Sequence, residues 1–265
     1  MEKMKNVKKE QHNQELIDLL KGLMKDCNEA DRKVFERLIE ERQEKEMTDA
    51  VKALPVRETP SENGLVELLF VIDQSGSMCG EETEQAVVSN FNKVIAQQRK
   101  EAGRAVVSTV LFNSRMTTLH ESSPIDEVPE MTRLDYSPAG TTALLDAVGS
   151  SIERICKRHA ALSEAERPAT TIVVIITDGE ENSSRKYSRS TVKQMIEMLQ
   201  KKHGWDFLYF GANVDHFAEA HRLGIGAEDA VSFATNEAGL VYCMKECSTR
   251  LSQRRTKRRS KGFIS

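Results

Sequence analysis

LLFVIDQSGSMCGEE, residues Leu68–Glu82, changes character halfway along. Leu68, Leu69, Phe70, Val71 and Ile72 form an unbroken apolar run, as expected of a strand covered on both faces. Asp73, Ser75 and Ser77 then follow at alternate positions, and Gly76 lets the chain turn tightly between the two serines. A dry strand ending in three hard oxygen donors puts its chemistry at the strand's carboxyl tip.

The surrounding sequence gives that strand its context. From Leu65 onward, strand and helix patterns alternate. LVELLFVID is followed by the amphipathic EETEQAVVSNFNKVIAQQRKEAG, then by the strand AVVSTVLFN, with MTTLHE alternating like its hairpin partner at a sheet edge. ALLDAVGSSIERICKRHAAL is a second strong helix and TTIVVIITD a second central strand. Helix SRSTVKQMIEMLQKKHG, strand DFLYFGA, helix VDHFAEAHRLGI and the short strand AVSFAT come next, and Asn236 opens a last helix. Such alternation predicts an α/β fold, a mainly parallel sheet with helices on both faces. Ligands of these sheets sit beyond the carboxyl ends of the central strands.

Two central strands end in aspartate, Asp73 and Asp178, and between them SPAGTTALLDAV delivers Thr141 and Thr142 just before a helix. Three loops therefore converge with carboxylates and hydroxyls. A donor set of oxygens without His or Cys selects a hard divalent cation, Mg²⁺ first and Mn²⁺ second. Two carboxylates neutralise a dication, and an open position then admits an acidic side chain of another protein. The bland reading of Asp73, Ser75 and Ser77, a polar turn capping the next helix, leaves Asp178 and the Gly-Thr loop unexplained. Glu180 and Glu181 read as a solvated loop, Asp146 as a surface or packing residue, and Asn113 and Asp215 as turn and cap residues. Cys79, beside the site, has no neighbouring Lys or His to activate it.

DQSGS, the later Gly-Thr turn and TDGE together resemble the von Willebrand factor type A domain, and more narrowly its metal-ion-dependent adhesion site, D-x-S-x-S, then T, then D. The resemblance runs from roughly Leu65 to Asn236. It implies a three-layer, doubly wound, Rossmann-like fold with about six strands, mostly parallel, and one antiparallel edge. Carried over, Asp73, Ser75, Ser77 and Asp178 match the metal ligands. The family pattern selects Thr142 as the threonine, with Thr141 as the alternative. In such domains the hydroxyls bind metal directly and at least one aspartate acts through water. Cytoplasmic relatives often serve as adaptors for AAA+ ATPases, which implies a partner of that kind.

The rest of the chain sets boundaries. Of 265 residues, 39 % are hydrophobic and 30 % charged, a globular composition with enough apolar residues for a sizeable core. No apolar run reaches the ~18–20 residues of a membrane span, and the basic N-terminus lacks the apolar segment of a secretory signal. Five cysteines without a framework pattern read as reduced thiols of a cytoplasmic protein. The region 1–54 reads as two helices split at Asn28, a hairpin or coiled-coil-like arm or a segment packed on the main domain. LPVRETPSENG supplies a linker at 55–64, the main domain covers 65–249, and 250–265 is a basic tail. That tail can bind an acidic partner or nucleic acid, or simply be solvated; no aromatic residues interleave its charges, so base stacking is not supported. The expected function is a non-enzymatic, metal-dependent protein-binding module. Hydrolysis lacks a histidine in the right loops and a P-loop. A third possibility keeps the metal only as a staple and leaves binding to the arm and tail.

Overall fold

The computed structural model describes residues 16–17, 19–25, 27–56, 64–212 and 216–262. A single sheet of six strands runs in the order β3-β2-β1-β4-β5-β6. The strands are β1 (Val66–Asp73), β2 (Ala105–Phe112), β3 (Met116–Pro124), β4 (Thr170–Thr177), β5 (Asp206–Gly211) and β6 (Ala230–Ser232). Every neighbouring pair is parallel except β2 and β3, so MTTLHE does form the antiparallel edge. The helices are α1 (residues 16–17 and 19–23), α2 (Glu29–Lys52), α3 (Glu81–Lys100), α4 (Leu144–Ala161), α5 (Arg189–His203), α6 (His216–Arg222) and α7 (Glu237–Gly262).

The apolar run in β1 is continuous because successive side chains feed two different cores. Leu68, Phe70 and Ile72 pack with Phe91 of α3 and Leu240 and Leu251 of α7. Leu69 and Val71 pack with Val148 and Ile152 of α4, Val192 and Ile196 of α5 and Leu223 just after α6. The result is three layers, helices on both faces of a buried sheet. Local chemistry agrees with the layout. Three acids open α3 and Arg99 and Lys100 close it, as the helix dipole favours. Ser188 caps α5 through the Thr191 amide, and Gly204, at φ 63°, ends it in the left-handed conformation that costs glycine least.

At the N-terminal side, the structure matches the packed alternative rather than the free arm. Asn28 caps α2 by accepting from the Asp31 amide at 3.0 Å. The far end of that helix is no free arm, since Val51 and the following Leu54 are buried against the α4–α5 layer. Most of the linker, 57–63, lies outside the described residues. At the other end, the boundary drawn at 249/250 falls inside α7, which continues to Gly262. The basic composition concealed how the first turns of the tail are used. Leu251 is fully buried, and Arg255, 4 % exposed, donates to the carbonyls of Gln98 and Gly103 at the end of α3. Arg250 bonds Glu246, and Arg254 pairs with Asp229. These cations are spent on the fold.

The run in β1 also hides one charge. Glu67 is fully buried, bonded to His159 Nε2 at 2.6 Å, to Arg158 and to Ser108 Oγ at 2.8 Å. Burial pushes its carboxyl up, but the bonds and charges of His159 and Arg158 prevail and hold it below the usual glutamate range. This ionic knot joins β1, β2 and α4 at the amino edge of the sheet, opposite the strand tips.

Two stability outcomes are expected. Glu67→Ala leaves the half-buried Arg158 and the buried His159 without their carboxylate partner and should lower the free energy of unfolding by about 3–5 kcal/mol in urea titrations. Because the carboxyl is lowered in the folded state, its contribution is present above the unfolded value of about 4.3 and is lost as pH falls through the folded value. The wild type should therefore lose stability over that acid window, and the variant should lose less. Leu251→Ala should cost about 2–5 kcal/mol, as for any core leucine, whereas a solvated tail would tolerate it unchanged.

Candidate metal centre

Parallel pairing levels the strand tips. Asp73 lies opposite Phe112, and Ile72 opposite Ile176, so the residues after β1 and β4 leave the sheet at one height. Asp73 is buried and closes a small loop, its Oδ1 accepting from the Ser75 amide at 2.7 Å. Its Oδ2 accepts from Thr177 Oγ1 at 2.5 Å, which ties the first strand tip directly to the second. Tyr136, buried on the α3 side, donates its hydroxyl to the Asp73 carbonyl at 2.7 Å.

The donors predicted from sequence lie together around this point. Ser75 Oγ is 3.0 Å from Ser77 Oγ, and Ser77 Oγ donates to Asp178 Oδ1 at 2.6 Å. Thr142 is buried, while Thr141 faces solvent. The Thr142 hydroxyl presses on Gly179: a Cβ there would come within 2.8 Å of Thr142 Oγ1 and 3.6 Å of Ser77 Oγ. Glycine is thus required beside Asp178 for the third loop to approach. Gly140, at φ 76°, makes the turn that brings this loop in, and its carbonyl accepts from the Gly76 amide at 3.0 Å.

Several residues outside the motif fasten the loops, and the sequence reading passed over them. Thr142 and Asn182 exchange two bonds, Thr142 N to Asn182 Oδ1 at 2.9 Å and Asn182 N to Thr142 O at 3.1 Å. Glu181 is no solvated loop residue. It accepts from the Leu145 amide at the start of α4 and from the amides of Ser183 and Ser184. Asp146, read as surface or packing, accepts from the amides of Arg185, Lys186 and Tyr187. An acid in the first turn of a helix was the available signal, but its partners lie some forty residues on. Asn113 does act as a turn residue, accepting from the Arg115 amide at 2.8 Å. Cys79 is exposed and directs its thiol to the Pro138 carbonyl at 3.3 Å. Asp215 lies outside the described residues.

The electrostatics are those of a site short of positive charge. Burial raises the Asp73 carboxyl above its usual range; the bonds from Thr177 and Ser75 oppose this, and the Asp178 charge adds to it. Asp178 is raised by burial as well, against the bond from Ser77. Among the described residues, neither aspartate is ion-paired with Lys, Arg or His. Nor does any group of three or more His, Cys, Asp and Glu gather there as a metal-holding cluster. Two unneutralised carboxylates with three clustered hydroxyls is the donor chemistry that fits a hard dication, and it excludes a soft-metal preference. No described histidine hydrogen-bonds these hydroxyls. His120 is bonded to Thr109 and His159 to Glu67, both remote in the network.

Comparison with known proteins agrees with this architecture. The family model of the von Willebrand factor type A domain matches residues 67–242. No curated protein matches the chain. Among solved structures, the vWF domain of the type V pili tip protein Mfa5 from Porphyromonas gingivalis superposes with a TM-score of 0.51 at 10 % identity, covering 71 % of this chain and 95 % of that one. Proximal thread matrix protein 1 from the mussel byssus gives 0.50 at 18 % identity, covering 71 % and 46 %. The D319A mutant of the PilB minor pilin from Streptococcus sanguinis gives 0.50 at 15 % identity, covering 76 % and 63 %. The chain thus spans only 46 % and 63 % of the latter two. At these identities the likeness is one of fold. Family match, strand order and the single antiparallel edge together establish that the chain belongs to the von Willebrand factor type A domain family.

Proposed function

We propose that this chain is a non-enzymatic, cation-dependent protein-binding module. Asp73, Ser75, Ser77, Thr142 and Asp178 would hold the ion, Mg²⁺ by preference and Mn²⁺ as a close substitute. The bound cation supplies a positive centre to which a partner's Asp or Glu carboxylate can attach. The observation carrying this reading is the line of oxygens from Ser75 through Ser77 to Asp178, beside the buried Asp73 and half-buried Asp178 carboxylates, neither of which is paired with a Lys, Arg or His among the described residues. Adaptor work for an AAA+ ATPase in the cytoplasm is the setting we favour, and the five free cysteines suit a reducing compartment. Nucleic acid is disfavoured because Arg250, Arg254 and Arg255 of the basic run are engaged within the fold. A hydrolytic role is disfavoured because Ser75 and Ser77 would be occupied as ion ligands and no described histidine bonds either hydroxyl.

Calorimetry should show saturable binding of Mg²⁺ and Mn²⁺ to the wild type and none to Asp73→Ala. Binding should strengthen when a pool of carboxylate-bearing peptides is added. A folded wild type that binds neither ion would overturn the proposal.

Thermal unfolding separates the charges from the fold. Because both site carboxyls are raised in the folded protein, the metal-free native state binds protons more readily than the unfolded chain, and its stability falls as pH rises through their folded values. Asp178→Asn should therefore raise the Tm of the metal-free protein at neutral pH. Mg²⁺ at a hundred times its Kd should stabilise the wild type by about 2.7 kcal/mol and leave the variant unmoved. A variant with lowered Tm and an intact Mg²⁺ response would refute the assignment of Asp178.

A further inference from the structure

The loop that carries Tyr136 to the site also displays Leu134, which is 94 % exposed, whereas no other exposed large apolar side chain among the described residues passes 60 %. A lone exposed leucine is ordinary in itself. The backbone that carries this one is fixed in place. Asp135 Oδ2 accepts from Thr132 N and Thr132 Oγ1 at 2.7 and 2.6 Å, and the Leu134 amide donates to Thr132 Oγ1 at 3.2 Å. On one side Met131 is buried and exchanges two bonds of 2.9 Å with Asn92 of α3. Arg133 donates to the Glu81 carbonyl and to Glu84 in the first turn of α3. On the other side, two residues on, Tyr136 holds the Asp73 carbonyl, and the Ala139 amide holds that of Gln74. The turn that carries the leucine is thus braced between α3 and the candidate cation site.

We infer that Leu134 is the apolar contact that selects the partner segment docking at the cation. This rests on the reading of the site as cation-dependent and gives that reading a specificity. The occupant is a protein segment with one Asp or Glu for the ion, an apolar side chain at a fixed offset that covers Leu134, and basic rather than further acidic residues beside it. The last feature follows from charge. Glu81, Glu82 and Glu130 are exposed around the turn, and the nearby Arg133 is already paired with Glu84. A uniformly acidic segment would be repelled there, whereas one flanked by Lys or Arg is attracted. A turn whose backbone is already held needs little further ordering on contact, which lowers the cost of using the residue at its tip in an interface.

The test is a displayed random peptide library panned on the full chain in Mg²⁺, with bound clones released by EDTA. The released clones should share one carboxylate residue, an aliphatic or aromatic residue at a constant offset, and enrichment in Lys or Arg. Peptides made from them should bind Leu134→Asp at least tenfold more weakly, about 1.4 kcal/mol, and Leu134→Met nearly as well as the wild type. Mg²⁺ affinity by calorimetry should be the same in all three proteins, since Leu134 touches none of the donors. EDTA-released clones that lack the apolar residue, or that bind Leu134→Asp undiminished, overturn the inference and leave the cation reading standing. No EDTA-released clone from a protein that binds Mg²⁺ overturns both.

Discussion

The hydrogen bond from Thr177 to Asp73 is the contact on which the site's assembly depends. It joins the tips of two parallel strands, and it can form only because β1 and β4 pair in a register that ends them level. A shift of one residue would turn Asp73 towards the opposite helical layer and separate it from Thr177. Register is in turn enforced by burial. Each face of β1 meets a different helical layer, so any slip would exchange two sets of core contacts at once. The hydrophobic effect thus places the carboxylate, and the carboxylate does not have to organise the fold. That order of causes explains how a buried Asp73 and a half-buried Asp178, neither ion-paired among the described residues, are tolerated at the sheet edge.

The loops that complete the site are held by backbone amides. Asn182 grips Thr142, Glu181 caps the start of α4, and Asp146 accepts three successive amides from the loop that follows. Thr142 and the segment after Asp178 are therefore tied to the same helix end and to each other. The loop after β1 is sewn to the Gly140 turn by Gly76 and Ala139. A site so braced needs little ordering when a ligand arrives.

Much of this was legible in the sequence, and the limits have physical reasons. Strand tips ending in Asp73 and Asp178 could be read because a buried strand announces itself by an unbroken apolar run, and the first polar residue after it marks the tip. MTTLHE could be read as an edge because one of its faces is wet and alternates. Glu67 escaped notice since one acid in an apolar run carries no mark of its partners, and Arg158 and His159 lie about ninety residues away. The brace formed by Asp146 and Glu181 was hidden for the same reason: an acid bonded to distant amides looks like any surface acid. The basic run after Arg250 misled because charge was taken as exposure. Arginine can bury its stem and spend its guanidinium on carbonyls, as Arg255 does at the end of α3.

The direction of α7 bears on mechanics. Phe233, just before it, bonds Gly211 at the carboxyl edge, while Arg255, near its far end, bonds Gly103 at the amino edge, where Val66 of β1 bonds Arg104. The start of β1 and the distal part of α7 thus lie together, on the side away from the strand tips. Tension between those tips and the start of β1 would run along the strands. β1 would then have to shear past β2 and β4 with its whole ladder loaded at once, rather than unzip one bond at a time. Along that axis the sheet is stiffer than it would be across its strands.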